Sequence, residues 1–129
     1  MTLLKGLHHI AIICSDYQKS KHFYTEVLGF QIQQEVYRKD RESHKLDLSL
    51  NGVYVIELFS FPKPKPRPTM PEATGLRHIA FEVSDIDKTI QHIKSFGIKV
   101  EPIRIDEFTG KQFTFFRDPD DLPIELYQQ

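Results

Sequence analysis

One stretch of this chain occurs twice: Gly6-Leu-His-His-Ile-Ala-Ile-Ile-Cys-Ser-Asp-Tyr-Gln-Lys19 aligns without gaps to Gly75-Leu-Arg-His-Ile-Ala-Phe-Glu-Val-Ser-Asp-Ile-Asp-Lys88, with eight of fourteen positions identical. The offset between the two copies is 69 residues. Further along, Ile56-Glu-Leu58 matches Ile124-Glu-Leu126 at an offset of 68 residues. Self-similarity at a fixed period indicates that the chain consists of one module in two copies.

Each copy predicts the same succession of elements, which is a strand, a helix and then three strands. The β-branched run from His8 to Cys14 favours a strand, and Ser15-Asp16 can cap the helix that follows it. Gly29 and Gly97 stand where a helix commonly ends in a left-handed residue. Six extended segments follow the two glycines: Phe30 to Arg38, Lys45 to Leu50, Tyr54 to Phe59, Ile98 to Ile103, Lys111 to Arg117 and Leu122 to Tyr127. The expected fold class is therefore α+β, with two βαβββ modules in tandem.

The length of the chain favours a single domain. With 129 residues, of which 40% are hydrophobic, it can bury one sizeable core. We expect one domain over residues 1–129, with module 1 at about 6–60, a linker at about 61–74 and module 2 at about 75–128. The linker begins with Phe61-Pro-Lys-Pro-Lys-Pro-Arg-Pro68, whose alternating prolines favour an extended strap between the modules.

Charge and hydropathy exclude two classes of partner. The chain has 17 basic and 18 acidic residues, so it lacks the basic face that binds phosphate backbones. No stretch approaches the roughly 20 apolar residues that span a bilayer, and the first residues lack the apolar core of a signal peptide. We therefore expect no nucleic acid, no membrane and a cytoplasmic location. The lone Cys14, in an apolar run, is expected to be a buried thiol rather than a nucleophile.

Both modules carry a histidine on the first strand and a glutamate on the last. Because strand side chains alternate between faces, His9 and His78 should lie on the face opposite to the helix. An ionised Glu57 or Glu125 within an apolar strand is costly unless a cation compensates it. Two imidazoles and two carboxylates suit a first-row divalent ion. The sequence therefore predicts one metal site built by His9, Glu57, His78 and Glu125, with Zn or Ni preferred over Co, Mn or Fe.

Each of these residues taken alone also has a structural interpretation, as a hydrogen-bonded core histidine or as a glutamate on a solvated strand face. Four of them in matched pairs favour a ligand set. The remaining histidines fit less well, because His8 is replaced by Arg77 in the second copy and His22 and His92 lie on helices. His44 lies in a charged loop, where a solvated position and a contact with substrate are equally compatible with the sequence.

Five segments resemble the vicinal oxygen chelate superfamily, which includes glyoxalase I, fosfomycin-resistance proteins, extradiol dioxygenases and bleomycin-resistance proteins. They are His9 to Asp16, Phe23 to Phe30, Val55 to Leu58, Arg77 to Ala80 and Arg117 to Leu126. The resemblance implies two modules that form an open, curved, mixed sheet around one metal, with the active site on the concave side. The His-Glu-His-Glu set is similar to the glyoxalase I subset, and the chain most resembles the small YaeR-type group of glyoxalase-like proteins.

This resemblance implies a metal-dependent lyase or isomerase of the lactoylglutathione lyase family. The metal would act as a Lewis acid that stabilises a developing enediolate, while a glutamate moves a proton at carbon. Glu125 is preferred as the base and Glu57 is second, because a near-symmetric site does not separate them. Phe59, Phe113, Phe115 and Tyr127 are candidates for pocket walls or for core packing.

Several alternatives remain open at this point. The same site could serve another metalloenzyme of the superfamily, such as a dioxygenase or a thiol transferase. In a different class, the chain could be a binding protein that sequesters a drug or metabolite. We also expect a homodimer, and the four ligands can come from one chain or from two.

Two positions depart from the glyoxalases that use glutathione. Those proteins carry an arginine four residues after the first ligand and an asparagine four residues after the second, whereas this chain has Ile13 and Phe61. Arg38, Lys45 or Arg104 could supply a substitute cation from another strand. We therefore expect a small oxygenated substrate, such as an adduct of a thiol other than glutathione.

Overall fold

The first copy of the repeat folds as a strand, a helical segment and three further strands, as the sequence predicts. The computed structural model describes all 129 residues and places this copy in the first of two units, Met1–Lys65. Its elements are β1 (Ile10–Cys14), α1 (Tyr17–His22), a π-helical turn (Phe23–Val27), β2 (Gln31–Arg38), a 3₁₀ turn (Lys39–Arg41), β3 (Ser43–Leu50) and β4 (Val53–Ser60). The strands form a mixed sheet in the order β1-β4-β3-β2, in which β1 and β4 are parallel.

Local chemistry fixes where the first helical segment begins and ends. The carboxylate of Asp16 accepts a hydrogen bond from the backbone N–H of Lys19 at 3.1 Å, which is the predicted N-cap. Gly29 has a φ of +82°, in the left-handed region predicted for it. The helical segment ends in a π turn that the sequence pattern does not indicate, in which the N–H of Leu28 donates to the carbonyl of Phe23 at 3.0 Å.

The second copy lies in the second unit, Pro66–Gln129, and repeats this order. Its elements are β5 (Ile79–Val83), α2 (Ile86–Lys94), β6 (Arg104–Ile105), β7 (Gln112–Arg117) and β8 (Pro123–Gln128). They form a sheet in the order β5-β8-β7-β6, with β5 and β8 parallel. Two mixed four-stranded sheets with few helices are therefore an α+β fold of two βαβββ modules, as expected.

One predicted strand is misplaced. The extended segment expected at Ile98 to Ile103 is not a strand and makes one backbone hydrogen bond to β7, from the N–H of Glu101 to the carbonyl of Phe115 at 2.9 Å. The strand that pairs with β7 is limited to Arg104 and Ile105. Pro102 has no backbone N–H to donate to a ladder, and it interrupts the segment just before the residues that pair. Strand existence was thus predicted correctly, while its position was wrong by several residues.

Strand alternation gives each sheet one buried face and one outward face. The buried face of the first sheet carries Ile12, Cys14, Leu46, Leu48, Ile56 and Leu58, and the core of the second unit contains Ile79, Ile86, Ile93, Phe116, Ile124 and Leu126. Burying each such side chain contributes roughly 1.5–3 kcal/mol, and a one-residue slip in register would turn these residues outward. The cores therefore fix which side chains face outward. No helix here is long and apolar enough to cross a membrane.

Candidate metal-ligand pairs and their surroundings

The first predicted pair meets on the outward face of the first sheet. His9 lies just before β1, which begins at Ile10 rather than at the predicted His8, and Glu57 lies in β4. The register pairs Ala11 with Glu57, so a small side chain stands beside the carboxylate. His9 Nε2 is 3.5 Å from Glu57 Oε1, and the two side chains are 34% and 15% exposed.

The second predicted pair has the same arrangement within the second sheet. The register pairs Ala80 with Glu125, as Ala11 pairs with Glu57. His78 Nε2 is 3.2 Å from Glu125 Oε1, and these side chains are 27% and 13% exposed. The repeat in sequence is therefore also a repeat in side-chain geometry.

Both pairs fit two adjacent positions of a metal coordination sphere. Two tetrahedral ligands, each about 2.0–2.1 Å from a zinc ion, are roughly 3.3 Å apart, close to the two separations in this chain. Nitrogen and oxygen donors of this kind suit first-row divalent ions. No group of three or more His, Cys, Asp or Glu side chains able to hold a metal forms in the structure. Each unit thus brings together two of the four predicted ligands, and the complete set stays a prediction.

A lysine compensates the charge of Glu57. Lys45 Nζ lies 2.9 Å from both carboxylate oxygens of Asp47 and 3.4 Å from Glu57 Oε2. The hydrogen bonds to Asp47, opposed by burial and aided by the charges of both carboxylates, raise the pKa of Lys45 above its ordinary 10.5. Lys45, and not only a metal, can therefore compensate the charge of Glu57. Asp47 was not singled out from the sequence, because strand alternation puts it on the face of Lys45 but only the register of β3 with β4 places it beside Glu57.

The second unit has no such lysine beside its glutamate. The positions that correspond to Lys45 and Asp47 are Phe113 and Phe115, which pair with Tyr127 and Glu125. Phe115 packs edge-on against His78, with ring centroids 5.2 Å apart. The two ligand pairs therefore differ in surroundings, being polar and charged around Glu57 and aromatic around Glu125. Phe113, Phe115 and Tyr127 are partly exposed on this face, as pocket walls require.

A neighbour contacts the other ring nitrogen of each histidine. His8 Nδ1 lies 2.8 Å from His9 Nδ1, and Arg77 Nη1 lies 3.1 Å from His78 Nδ1. Tyr54 stacks on the His9 ring, with centroids 5.2 Å apart. Although Arg77 replaces His8 in the second copy, the two residues have equivalent positions, since His8 contacts Nδ1 of His9 and Arg77 contacts Nδ1 of His78. Nε2 faces the glutamate in each pair. Since a guanidinium can only donate, Nδ1 of His78 accepts from Arg77.

Arg38 is a cation without an acidic partner on the outward face of the first sheet. Its guanidinium lies 4.8 Å from the ring centroid of Phe59 and 5.7 Å from that of Phe61. Its Nη2 donates to Ser43 Oγ at 2.8 Å, and its buried Nε has no hydrogen-bond partner. Ile13, which together with Phe61 departs from the glutathione-binding pattern in sequence, is 57% exposed.

His44 has neither of the two positions that the sequence left open. The charged segment around it turns the chain from β2 to β3 through the 3₁₀ turn, and His44 itself lies in β3, opposite Tyr37 of β2. The His44 ring stacks on Tyr17 at 4.0 Å, and its Nδ1 lies 3.3 Å from Ser60 Oγ. His44 is therefore packed against α1, on the face opposite to the ligand pair.

Comparison with known proteins covers nearly the whole chain. The family model described as the Glyoxalase/Bleomycin resistance protein/Dioxygenase superfamily matches residues 6–126. The uncharacterised protein YwkD of Bacillus subtilis (strain 168) is 66% identical over 127 residues, which cover 98% of this chain and 99% of YwkD. The uncharacterised protein YaeR of Escherichia coli (strain K12) is 61% identical over 126 residues, which cover 98% of each chain.

A solved structure has the same fold. The crystal structure of a glyoxalase family protein from Enterococcus faecalis matches with a TM-score of 0.89 at 46% sequence identity, covering 98% of this chain and 99% of that one. The two βαβββ modules in tandem are therefore shared over the full length of both chains.

Proposed function

We propose, from the premise that this chain belongs to the glyoxalase/bleomycin resistance protein/dioxygenase superfamily, that it is a divalent-metal-dependent lyase or isomerase of the glyoxalase I type. The observation that carries the proposal is the repeated pairing of one imidazole with one carboxylate, at 3.5 Å in the first unit and 3.2 Å in the second. The same pair occurs in each unit, on the sheet face that points away from the buried core. This repetition favours metal ligands over isolated surface residues.

The proposed ligands are His9, Glu57, His78 and Glu125, which together would hold one ion. Zinc or nickel is preferred for this donor set, and cobalt, manganese or iron would also suit it, since no sulfur ligand is included. The ligands can come from one chain or from two, and we propose a homodimer as the working form. When bound, the ion would supply Lewis-acid stabilisation of charge that develops on a substrate oxygen.

The residues of this chain would move the proton. We propose Glu125 as the general base for a hydrogen on carbon next to a carbonyl, with Glu57 as the second choice. Lys45 Nζ lies 3.4 Å from Glu57 Oε2, so this carboxylate already has a cationic partner. Glu125 lies 3.2 Å from His78 Nε2 and has an aromatic neighbour in Phe115, so no lysine competes for its carboxylate. This difference supports the assignment that the sequence alone left undecided.

The proposed substrate is a small oxygenated molecule that presents adjacent oxygens, such as a hemithioacetal of an α-oxoaldehyde. Ile13 and Phe61 occupy the positions where glutathione-using relatives carry polar anchors, and neither can form a charge-assisted hydrogen bond. We therefore propose that glutathione is not the preferred thiol.

The test is turnover of methylglyoxal hemithioacetals of several thiols by the metal-loaded protein. Glu125→Gln should lower kcat by 10²-fold or more if the carboxylate moves the proton. Glu26→Gln is the matched control, because Glu26 is an exposed glutamate of the π-helical turn outside the ligand set and should retain full activity. Equal activity of all three proteins would contradict the role of Glu125. Stoichiometric ligand binding without turnover, unaffected by a chelator, would instead support the sequestering alternative.

A further inference from the structure

A cavity of about 200 Å³ opens in the second unit, and arginine side chains dominate its lining. Four arginines contribute, namely Arg67, Arg77, Arg104 and Arg117, together with two glutamates, Glu72 and Glu101. Phe115 lines the cavity as well. The charged lining residues therefore sum to two net positive charges, although the whole chain has a net charge of −1.

The ion pairs around this cavity are exposed and leave one arginine uncompensated. Arg104 Nη2 lies 3.2 Å from Glu101, and Arg117 Nη1 lies 2.9 Å from Asp121. Arg77 pairs with Glu72, and both of these side chains are more than 60% exposed. An exposed ion pair contributes about 0–1 kcal/mol to stability, so a bound anion can compete with the carboxylate for the arginine N–H groups. Arg67 donates only to neutral acceptors, which are Thr69 Oγ1 and backbone carbonyls.

The wall of the cavity is held in place by hydrogen bonds. Arg67 Nε donates to Thr69 Oγ1 at 2.8 Å, and Arg67 Nη2 donates to the carbonyl of Leu76 at 2.8 Å. Thr69 Oγ1 donates in turn to the carbonyl of Asp121 at 2.9 Å. The linker that the sequence predicts as a plain strap thus contributes Arg67, Thr69 and Glu72 to a formed concavity.

Aromatic rings hold the guanidinium of Arg104 on the outward face of the second sheet. Its central carbon lies 5.1 Å from the ring centroid of Phe113 and 5.5 Å from that of Phe115. Cation–π contacts of this kind use the flat face of the guanidinium and leave its N–H edges free to donate. Planar N–H edges match the oxygens of a carboxylate or a phosphate.

The cavity adjoins the second ligand pair. Phe115 lines it and also packs edge-on against His78 at 5.2 Å. Arg77 lines it and lies 3.1 Å from His78 Nδ1. A molecule in the cavity would therefore lie next to the imidazole of His78.

We propose that this cavity binds an oxyanion, a carboxylate or a phosphate group of a small molecule, through Arg67, Arg104 and Arg117. Its volume of about 200 Å³ suits a small anionic group, and its lining supplies guanidinium N–H donors in excess of carboxylates. The inference that this anion is part of the substrate rests on the proposed function. Anion binding itself does not depend on that function, because these contacts need no metal.

The test is calorimetric titration of the metal-free protein at low ionic strength with inorganic phosphate and, separately, with malonate. We expect saturable binding of at least one anion, weakened by added salt, and no binding of glycerol, a neutral probe. Arg104→Gln and Arg117→Gln should each weaken binding tenfold or more. Arg41→Gln is the matched control, since Arg41 is exposed and lies in the first unit, and it should change the dissociation constant less than twofold.

Tighter binding of phosphate would assign a phosphorylated ligand, and tighter binding of malonate would assign a carboxylate. Absence of saturable binding for both anions would overturn the proposal, as would equal weakening in Arg41→Gln and Arg104→Gln. Melting curves identify any variant that fails to fold. If either Arg104→Gln or Arg117→Gln does not fold, the other variant supplies the test. Because the titration is done without metal, its failure is distinct from a failure of metal binding or turnover.

Discussion

Replacing Lys45 with methionine removes the ammonium group that contacts both Asp47 and Glu57. The three side chains are only 27%, 12% and 15% exposed, so water replaces the lost contacts poorly. After the change, Asp47 keeps a hydrogen bond from the hydroxyl of Tyr54 at 3.2 Å, and Glu57 keeps His9 as a neighbour. The variant therefore leaves two neighbouring carboxylates without their shared cation.

The magnitude follows from the bonds that are lost. A hydrogen bond to a charged group contributes about 1.5–3 kcal/mol, and the Asp47 contact at 2.9 Å is the closer of the two. Partial exposure and the remaining partners reduce the total, so we expect a loss of about 2–4 kcal/mol in the free energy of unfolding of the metal-free protein. For a chain of this size the melting temperature should fall by roughly 8–16 °C.

The assay is thermal and urea unfolding of the metal-free protein near neutral pH. The pKa of Lys45 is raised, so the stability that its charge supplies is complete below pH 10.5 and is lost as the pH rises through its higher folded-state value. The curves for wild type and Lys45→Met should therefore converge only at strongly alkaline pH. Lys45→Arg, which keeps the charge, is the control and should lose less than half as much.

Metal should rescue this variant more than it stabilises the wild type. If Glu57 is a ligand, a divalent ion supplies the positive charge that Lys45→Met lacks, so saturating zinc should narrow the gap between the two melting temperatures. A Lys45→Met variant that melts within 2 °C of the wild type without metal would refute the charge argument. A gap that zinc leaves unchanged would refute the link between Glu57 and the ion.

Three further changes test other parts of the account. Hydrogen bonds from Lys21 and Tyr17 hold the pKa of Glu35 below 4.5, so the stability they contribute is present above pH 4.5 and is lost as the pH falls through the folded-state pKa. In urea unfolding, Glu35→Gln should therefore lose less stability on acidification than the wild type does. The same loss on acidification in both proteins would contradict the role of Glu35. Phe116→Ala should cost about 3–5 kcal/mol of unfolding free energy, because Phe116 is 1% exposed, and a loss below about 1 kcal/mol would show looser packing. On the glutathione hemithioacetal of methylglyoxal, Ile13→Arg should raise kcat/KM, whereas a wild-type value above roughly 10⁴ M⁻¹s⁻¹ would identify an ordinary glutathione-using enzyme.

The outward faces could be predicted because they depend on strand parity alone. His9, Ala11 and Ile13 alternate with Ile12 and Cys14, which are 8% and 1% exposed. Because the repeat has a fixed offset, the corresponding residues of the second copy lie on the corresponding face of its sheet. These two facts predict that a histidine and a glutamate have matching positions in the two sheets.

Other features depend on contacts between residues far apart in sequence. The short β6 reflects an interruption at Pro102, and His44 is packed because its ring stacks on Tyr17 and contacts the tilted ring of Tyr37. The cation beside Glu57 is Lys45 of β3, and only the pairing register of β3 with β4 brings these two residues together. Likewise, the arginine-lined cavity combines linker and strand residues that no local pattern connects.

Metal stoichiometry tests the central claim most directly, by elemental analysis and calorimetric titration of wild type, His9→Ala and His78→Ala. His92→Ala is the control, because His92 lies in α2 outside the ligand set. A single ion held by both pairs predicts close to one ion per chain, sharply lower occupancy in either ligand variant, full occupancy in the control and weaker binding on acidification. Two ions per chain, or full occupancy in both His9→Ala and His78→Ala, would contradict it.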